Sequence, residues 1–202
     1  MKFLVIFLHG VGSRGTDLEV LGNLWRAKLS DASFAAPDAP FAFDQGGPGR
    51  QWFSVRGVTE ASRPQRVLDA REAFDQTVAK LVEANGLSSH LERVALVGFS
   101  QGSIMALDAV ASGRWPVAAV VAFAGRLASP EPLAPFIGTR VLLVHGGADP
   151  VIPALESVTA QTRLERAGVE VERHILPGLG HTISQDGASI ARDYLAGIFE
   201  QA

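Results

Sequence analysis

The stretch Val94-Ala95-Leu96-Val97-Gly98-Phe99-Ser100-Gln101-Gly102 decides the fold, because it joins a buried apolar run to a sharp turn that carries a serine. Four consecutive apolar residues are typical of a strand that is buried on both faces. The two glycines leave room for the strand and the following element to pass close to the serine. The stretch therefore predicts a strand, a turn that presents Ser100, and a helix.

The composition is that of a compact protein. The chain has 202 residues, 47% of them hydrophobic and 19% charged, and we predict one domain over residues 1–202. A net charge of -3 with scattered basic residues gives no footprint for nucleic acid or an anionic membrane. We therefore expect a small-molecule substrate, and either a monomer or a homodimer.

Cysteine and leader patterns bear on chemistry and location. The chain has no cysteine, which excludes disulfides and thiolate catalysis and fits the cytoplasm. The apolar run Phe3 to Leu8 is too short for the core of a signal peptide, so we interpret it as a buried strand. No later segment is long enough to cross a bilayer, and we expect no stable membrane insertion.

Apolar runs and helical patterns alternate along the chain, which is typical of an α/β protein with a mostly parallel sheet. The alternating stretch Gly168 to Leu176 predicts a half-exposed strand at a sheet edge. Four continuous apolar runs predict buried strands, at Phe3 to Leu8, Val94 to Val97, Val117 to Phe123 and Val141 to Val144. Helical spacing predicts helices over about Gln65 to Ala84 and Gly187 to Glu200.

A first helix is predicted near Thr16, where Glu19 follows three residues later as in a capping box. An apolar stripe then marks the buried face of this helix, at Leu21, Leu24, Trp25 and Leu29.

The stretch 37–62 does not fit a regular element. It is rich in proline and glycine and longer than an ordinary connection, and such loops are usually functional or mobile. It also contains Phe41, Phe43, Trp52 and Phe53, which suit packing or substrate contact better than a flexible linker. We expect this stretch to form a wall of the site.

An acid and a base follow Ser100 in the order that a catalytic triad on such a sheet requires. Asp149 lies just past the run Val141 to Val144, and His181 follows the strand that ends at Leu176. Because the carboxyl ends of parallel strands lie at one edge, the three side chains can meet there. His181 would act as general base and Asp149 would orient it. No histidine pair shows the spacing of a zinc site, so no metal or cofactor is implied.

Attack on a carbonyl creates a negative oxygen that needs preorganised N–H donors. One donor should be the N–H of Gln101, at the start of its helix. The other should come from the loop after the first strand, His9-Gly10-Val11-Gly12, and we assign it to Val11. The other histidines at strand ends, His9 and His145, are expected to bond to the backbone and brace the site.

Six motifs in order make the chain resemble the phospholipase/carboxylesterase family of α/β-hydrolases, which includes bacterial carboxylesterases and acyl-protein thioesterases. The motifs are residues 8–12, 37–40, 52–53, 98–102, 145–150 and 180–181. The resemblance implies an α/β-hydrolase fold with helices on both faces of the sheet, and the triad and oxyanion hole given above. It also implies that Trp52 and Phe53 border the acyl pocket.

The chain differs from the family pattern in two places. Ser103 stands where the family commonly has a second glycine after the turn, and we expect the amino-terminal hairpin that many relatives carry to be missing. A small version of the fold is therefore expected. No long insertion separates the strands at Phe123 and Val141, so we also expect no large lid and an open pocket.

The sequence favours a serine carboxylesterase that cleaves esters of short-to-medium acyl chains through an acyl-enzyme at Ser100. Thioesters and lysophospholipids are related substrates. Two alternatives remain open at this point: a peptidase or depolymerase on the same fold, and a binding protein that has lost catalysis.

Overall fold

Six parallel strands form the central sheet of the protein, in a computed structural model that describes residues 2–201. Met1 and Ala202, the two ends of the predicted domain, lie outside the described residues. The elements follow one another as β1 (Phe3–Leu8), α1 (Glu19–Trp25), β2 (Ala32–Ala35), β3 (Phe41–Ala42), β4 (Arg50–Gln51), α2 (Arg63–Ala84), β5 (Val94–Phe99), α3 (Gln101–Ala111), β6 (Ala119–Phe123), β7 (Arg140–Gly146), α4 (Leu155–Arg166), β8 (Glu170–Leu176) and α5 (Gln185–Phe199).

The strand order is β2-β1-β5-β6-β7-β8, and every neighbouring pair in this sheet is parallel. The predicted edge position of the strand near Gly168 to Leu176 is confirmed, because β8 is the last strand of the sheet. Since all six strands run the same way, their carboxyl ends share one edge, where the predicted site residues lie. The connection between β6 and β7, residues 124–139, contains neither helix nor strand.

The four predicted buried strands are present, with completely or almost completely buried side chains, as a sheet covered on both faces requires. The third begins at Ala119, two residues after the predicted start at Val117. Side chains of α2, α3 and α4 pack on one face of the sheet, and those of α1 and α5 pack on the other. The predicted three-layer α/β architecture is therefore confirmed.

A buried carboxylate, Asp108, anchors the far end of α3. It is 0% exposed and accepts hydrogen bonds from Arg71 of α2 at 2.9 and 2.8 Å, from Arg114 at 2.9 Å and from Ser129 at 2.7 Å. Burial alone would raise the pKa of Asp108, but the hydrogen bonds from Arg71 and Ser129 and the charge of Arg114 lower it below its ordinary value. The carboxyl-terminal end of the helix that begins directly after Ser100 is thus tied to α2 and to the segments that contain Arg114 and Ser129.

The first helix differs from its prediction. It begins at Glu19, after a short 3-10 turn over Gly15–Leu18. The carboxylate that caps this turn belongs to Asp17, which accepts a hydrogen bond from the N–H of Arg14 at 3.0 Å. The capping box at Thr16 and Glu19 was therefore wrong. Leu24 was also wrongly placed in the buried stripe, because it is 59% exposed.

Two short elements in the first quarter of the chain were not predicted. The half-buried strand β2 extends the sheet beside β1, and the ribbon of β3 and β4 lies inside the loop 37–62. Strands of two to four residues carry too little hydrophobic pattern to be seen in a sequence. The long loop is therefore partly regular.

Candidate active site

Ser100 stands on the turn between β5 and α3, with φ 52° and ψ -112°. Its N–H donates to the carbonyl of Phe123 on β6 at 2.9 Å, which holds the turn against the neighbouring strand. A positive φ is costly for a residue with a side chain, and such strain persists only where the surroundings impose it. The side chain of Ser100 is thereby presented at the carboxyl edge of the sheet.

The two glycines of the turn are required by close packing. A Cβ on Gly98 would come closer than 3.0 Å to the backbone of Ser103, and a Cβ on Gly102 would come closer than 3.0 Å to the carbonyl oxygens of Leu8 and His9. Ser103, the departure from the family pattern, fits because it faces Gly125 and donates to the carbonyl of Phe123 at 2.7 Å.

Ser100, His181 and Asp149 form one continuous chain of hydrogen bonds. His181 Nε2 lies 3.0 Å from Ser100 Oγ, and His181 Nδ1 lies 2.7 Å from Asp149 Oδ2. The partners indicate that Nδ1 carries the ring proton and donates to the carboxylate, while Nε2 accepts from the hydroxyl. The structure thus brings together three residues that the sequence separates by 32 and 81 positions.

Asp149 is held as a carboxylate by the loop that follows β7. Its side chain is fully buried, and Oδ1 accepts the N–H groups of Val151 at 2.8 Å and Ile152 at 2.9 Å. Burial would raise the pKa of Asp149, but hydrogen bonds from His181, Ile152 and Val151 lower it below its ordinary value. A negative charge is therefore kept next to the His181 ring.

His145 braces this same loop. Its Nε2 donates to the carbonyl of Ile152 at 2.8 Å and lies 3.2 Å from Asp149 Oδ2, while its Nδ1 accepts from Ser157 at 2.6 Å. The bonds fix the path of the chain between the acid and α4. The expectation that His145 bonds to the backbone near the site agrees with this geometry.

The predicted oxyanion donors lie on segments that flank Ser100. Gln101 is the first residue of α3, where an N–H has no acceptor within the helix. In the loop after β1, the N–H of Gly12 donates to the carbonyl of Arg50 at 2.8 Å. Within residues 2–201, the N–H of Val11 has no backbone acceptor. This loop passes close to the serine, since a Cβ on Gly10 would lie 3.4 Å from that of Ser100.

His9 holds the loop after β1 in place. It is 0% exposed, its Nδ1 donates to the carbonyl of Gly10 at 2.7 Å, and its Nε2 accepts the N–H of Ala39 at 2.9 Å. Burial lowers the pKa of His9 below 6.5, which favours the neutral ring at neutral pH. The neutral ring can accept from Ala39, which the charged ring could not do.

This pairing predicts an acid-side loss of stability. Because the unfolded chain takes up a proton near pH 6.5 and folded His9 does not, the free energy of unfolding should fall as pH drops below 6.5 toward the lower folded pKa. Urea unfolding between pH 5 and 7.5 measures this slope, and His9→Gln should flatten it. A ring-proton NMR titration of His9 with a midpoint at or above 6.5 would contradict the prediction.

Trp52 and Phe53, the predicted substrate contacts, are buried at 1% and 6% exposure. The Trp52 indole donates to the carbonyl of His9 at 2.9 Å and packs edge-on against Phe74 at 5.4 Å. The structure therefore gives both side chains a packing role, and their contact with a substrate stays a prediction.

The side chain of Gln101 has a role that the sequence did not reveal. Its Oε1 accepts the N–H of Trp52 at 2.8 Å, and its Nε2 donates to the carbonyl of Phe53 at 2.7 Å. The side-chain amide thus makes one accepted and one donated hydrogen bond to the backbone of the loop 37–62, as the backbone of a neighbouring strand would. No pattern in the sequence signals this contact, because the partners are 48 and 49 positions away.

The chain is similar to known esterases and thioesterases. The family model described as Phospholipase/Carboxylesterase matches residues 1–198. Esterase YpfH of Escherichia coli K12 is 37% identical over 95% of this chain and 81% of its own length. Acyl-protein thioesterase 1 of Neurospora crassa is 25% identical over 95% of this chain and 84% of its own length.

The fold is shared with a solved esterase as well. The crystal structure of esterase PE8 superposes with a TM-score of 0.88 at 38% identity, covering 98% of this chain and 93% of that one. No helix within residues 2–201 is long and apolar enough to cross a membrane. The predicted α/β-hydrolase fold and serine-hydrolase class are confirmed, and the chain belongs to the phospholipase/carboxylesterase family.

Proposed function

We propose that this chain hydrolyses carboxylic esters of short-to-medium acyl chains through an acyl-enzyme at Ser100. The observation that carries the proposal is the unbroken series of hydrogen bonds from Ser100 Oγ through His181 to Asp149. A serine hydroxyl is a weak nucleophile at neutral pH and is activated by a base that a third group orients. Residues 1–202 would act as one domain without a cofactor.

In the first half of the reaction, Ser100 Oγ attacks the carbonyl carbon and its proton passes to His181 Nε2. The buried carboxylate of Asp149 stabilises the imidazolium that forms. The N–H groups of Val11 and Gln101 would receive the negative oxygen, each donor contributing on the order of 3 kcal/mol. His181 then gives the proton to the leaving oxygen as its bond to the carbonyl carbon breaks.

In the second half, water takes the place of the alcohol. His181 accepts a proton from the water as its oxygen attacks the acyl carbon, and returns that proton to Ser100 Oγ as the acid leaves. One ester and one water thus give one acid and one alcohol, and no redox partner is needed. Every proton passes through His181 Nε2, which is the ring nitrogen that faces Ser100.

Thioesters are a second candidate substrate, since a relative of 25% identity is named an acyl-protein thioesterase. The same steps apply to a sulfur leaving group. The name of the more similar relative, an esterase at 37% identity, supports esters as the first choice. Contact of Trp52 and Phe53 with the acyl chain, a monomeric or homodimeric state and a cytoplasmic location stay predictions.

Labelling with a fluorophosphonate tests the proposed nucleophile. We expect one phosphonyl group per chain by intact mass, mapped by peptide sequencing to Ser100, because the turn and His181 activate this hydroxyl. Either of two results would overturn the proposal: an unlabelled protein, which would favour a binding protein, or an adduct on another serine such as the buried Ser103, which would remove Ser100 from the reaction.

A substrate panel distinguishes ester hydrolysis from the alternative activities. Nitrophenyl esters of increasing acyl length are compared with an acyl thioester and a peptide anilide of the same acyl group. We expect kcat/KM to be highest for an ester with a short or medium chain. A faster anilide would instead make the protein a peptidase.

A further inference from the structure

A groove of about 610 Å³ lies beside the triad, between α1 and the start of α5. Its walls include Phe99 and Thr182, the residues next to Ser100 and His181 in the chain. The ring of Phe99 lies 5.0 Å from that of His181, centroid to centroid. The near end of the groove is therefore formed by residues that directly adjoin Ser100 and His181 in the chain.

The side chains that line this groove are mainly apolar, and two of them are exposed to solvent. Val20 and Leu24, both from α1, are 54% and 59% exposed, while Leu21, Ile183 and Ala188 lie deeper. Exposed large apolar side chains that gather in a concave surface are typical of ligand sites. The structure thus offers apolar contact area that the fold itself does not cover.

The proposed reaction determines which part of the substrate lies next to this groove. His181 protonates the leaving oxygen, so the leaving group must lie on the His181 side of the scissile bond. Thr182 and Ile183 directly follow His181 and form the near end of the groove. From this we infer that the groove binds an apolar alcohol or thiol portion of the substrate, which rests on the proposed ester hydrolysis.

A second cavity at this edge of the sheet has different chemistry. It has a volume of about 390 Å³, and five charged side chains stand among its apolar lining residues: Glu60, Arg63, Arg126, Glu156 and Arg163. The groove at α1 has one charged lining residue among those that the structure describes, Asp17. Arg126 and Glu156 form an ion pair at 3.1 Å. An alkyl chain placed there would contact charged groups, so the groove at α1 is the better place for an apolar leaving group.

Two series of esters test the assignment. In the first series, acetates of alcohols from ethanol to octanol vary the leaving group. In the second, ethyl esters from acetate to octanoate vary the acyl group. For the wild type, we expect kcat/KM in the first series to rise about two- to fourfold per added methylene until the groove is filled.

Leu24→Gln and Val20→Gln place a polar group on the groove wall at exposed positions. We expect each to lower the ratio of kcat/KM for octyl acetate over ethyl acetate by about tenfold. The ratio for ethyl octanoate over ethyl acetate should keep its wild-type value. Leu155→Gln is the matched control, since Leu155 is 70% exposed on α4 and lines the charged cavity instead. It should leave the first ratio unchanged.

Three results would overturn the assignment: equal effects of Leu24→Gln on both ratios, an effect on the acyl ratio alone, or no effect on either. These outcomes differ from a failure of the proposed function, in which the wild type would hydrolyse no ester in either series. Circular dichroism and urea unfolding of each variant show that the folded state is compared.

Discussion

Replacing Ser100 with alanine is expected to lower kcat for ester hydrolysis by about 10⁴- to 10⁶-fold. The side chain that would form the acyl-enzyme is lost, while His181, Asp149 and the backbone donors remain. The residual rate would come from binding and from the oxyanion donors alone. Stopped or continuous assays with a nitrophenyl ester measure kcat, and urea unfolding checks the fold.

Ser103→Ala is the matched control for this change. Ser103 lies one turn into the same helix, is 0% exposed, and its hydroxyl bonds to the carbonyl of Phe123 at 2.7 Å. Its loss should cost on the order of 1 kcal/mol of stability and leave kcat within about threefold. A Ser100→Ala variant that keeps more than a hundredth of the wild-type kcat would remove Ser100 from the reaction.

Replacing Gly102 with alanine is expected to lower the free energy of unfolding by about 3 kcal/mol or more, or to prevent folding. The new methyl group would overlap the carbonyl of Leu8, and backbone cannot turn aside as a flexible side chain can. The end of β1 carries the loop with Val11, so any folded fraction should also lose kcat. Urea unfolding and the ester assay measure both effects.

Gly197→Ala is the comparison within another helix. A Cβ on Gly197 of α5 would meet nothing within 4 Å, so alanine should raise stability by about 0.4 to 1 kcal/mol through its better helix propensity. If Gly102→Ala shows the same gain, the close approach of α3 to β1 does not limit the turn.

The meeting of three polar side chains at one edge of the sheet could be predicted because these residues follow strands. Ser100, Asp149 and His181 each come after a stretch with strand character, and parallel strands bring such positions to one edge. The order of the residues then specified a triad. That prediction required only the positions at which the strands end, and it did not depend on how the helices pack.

The parts that escaped prediction depend on contacts across the fold. Trp52 and Leu24 show this in opposite ways. Trp52 lies in a loop and is buried, whereas Leu24 lies on a helix and is exposed. Hydrophobicity alone cannot tell these outcomes apart, because α1 has only seven residues and the loop is tied down by hydrogen bonds. The strand β2 was too short to leave a pattern.

The clamp formed by Gln101 bears on how such an enzyme can change over evolutionary time. Its amide holds only backbone atoms of residues 52 and 53, so the clamp itself does not prescribe which side chains that loop carries. Mutations at exposed positions of the ribbon of β3 and β4, such as Phe41 at 44% exposure, can therefore accumulate without displacing the turn that bears Ser100. With the predicted contact between this loop and the substrate, substrate preference would change in this part of the molecule while Ser100, His181 and Asp149 keep their places.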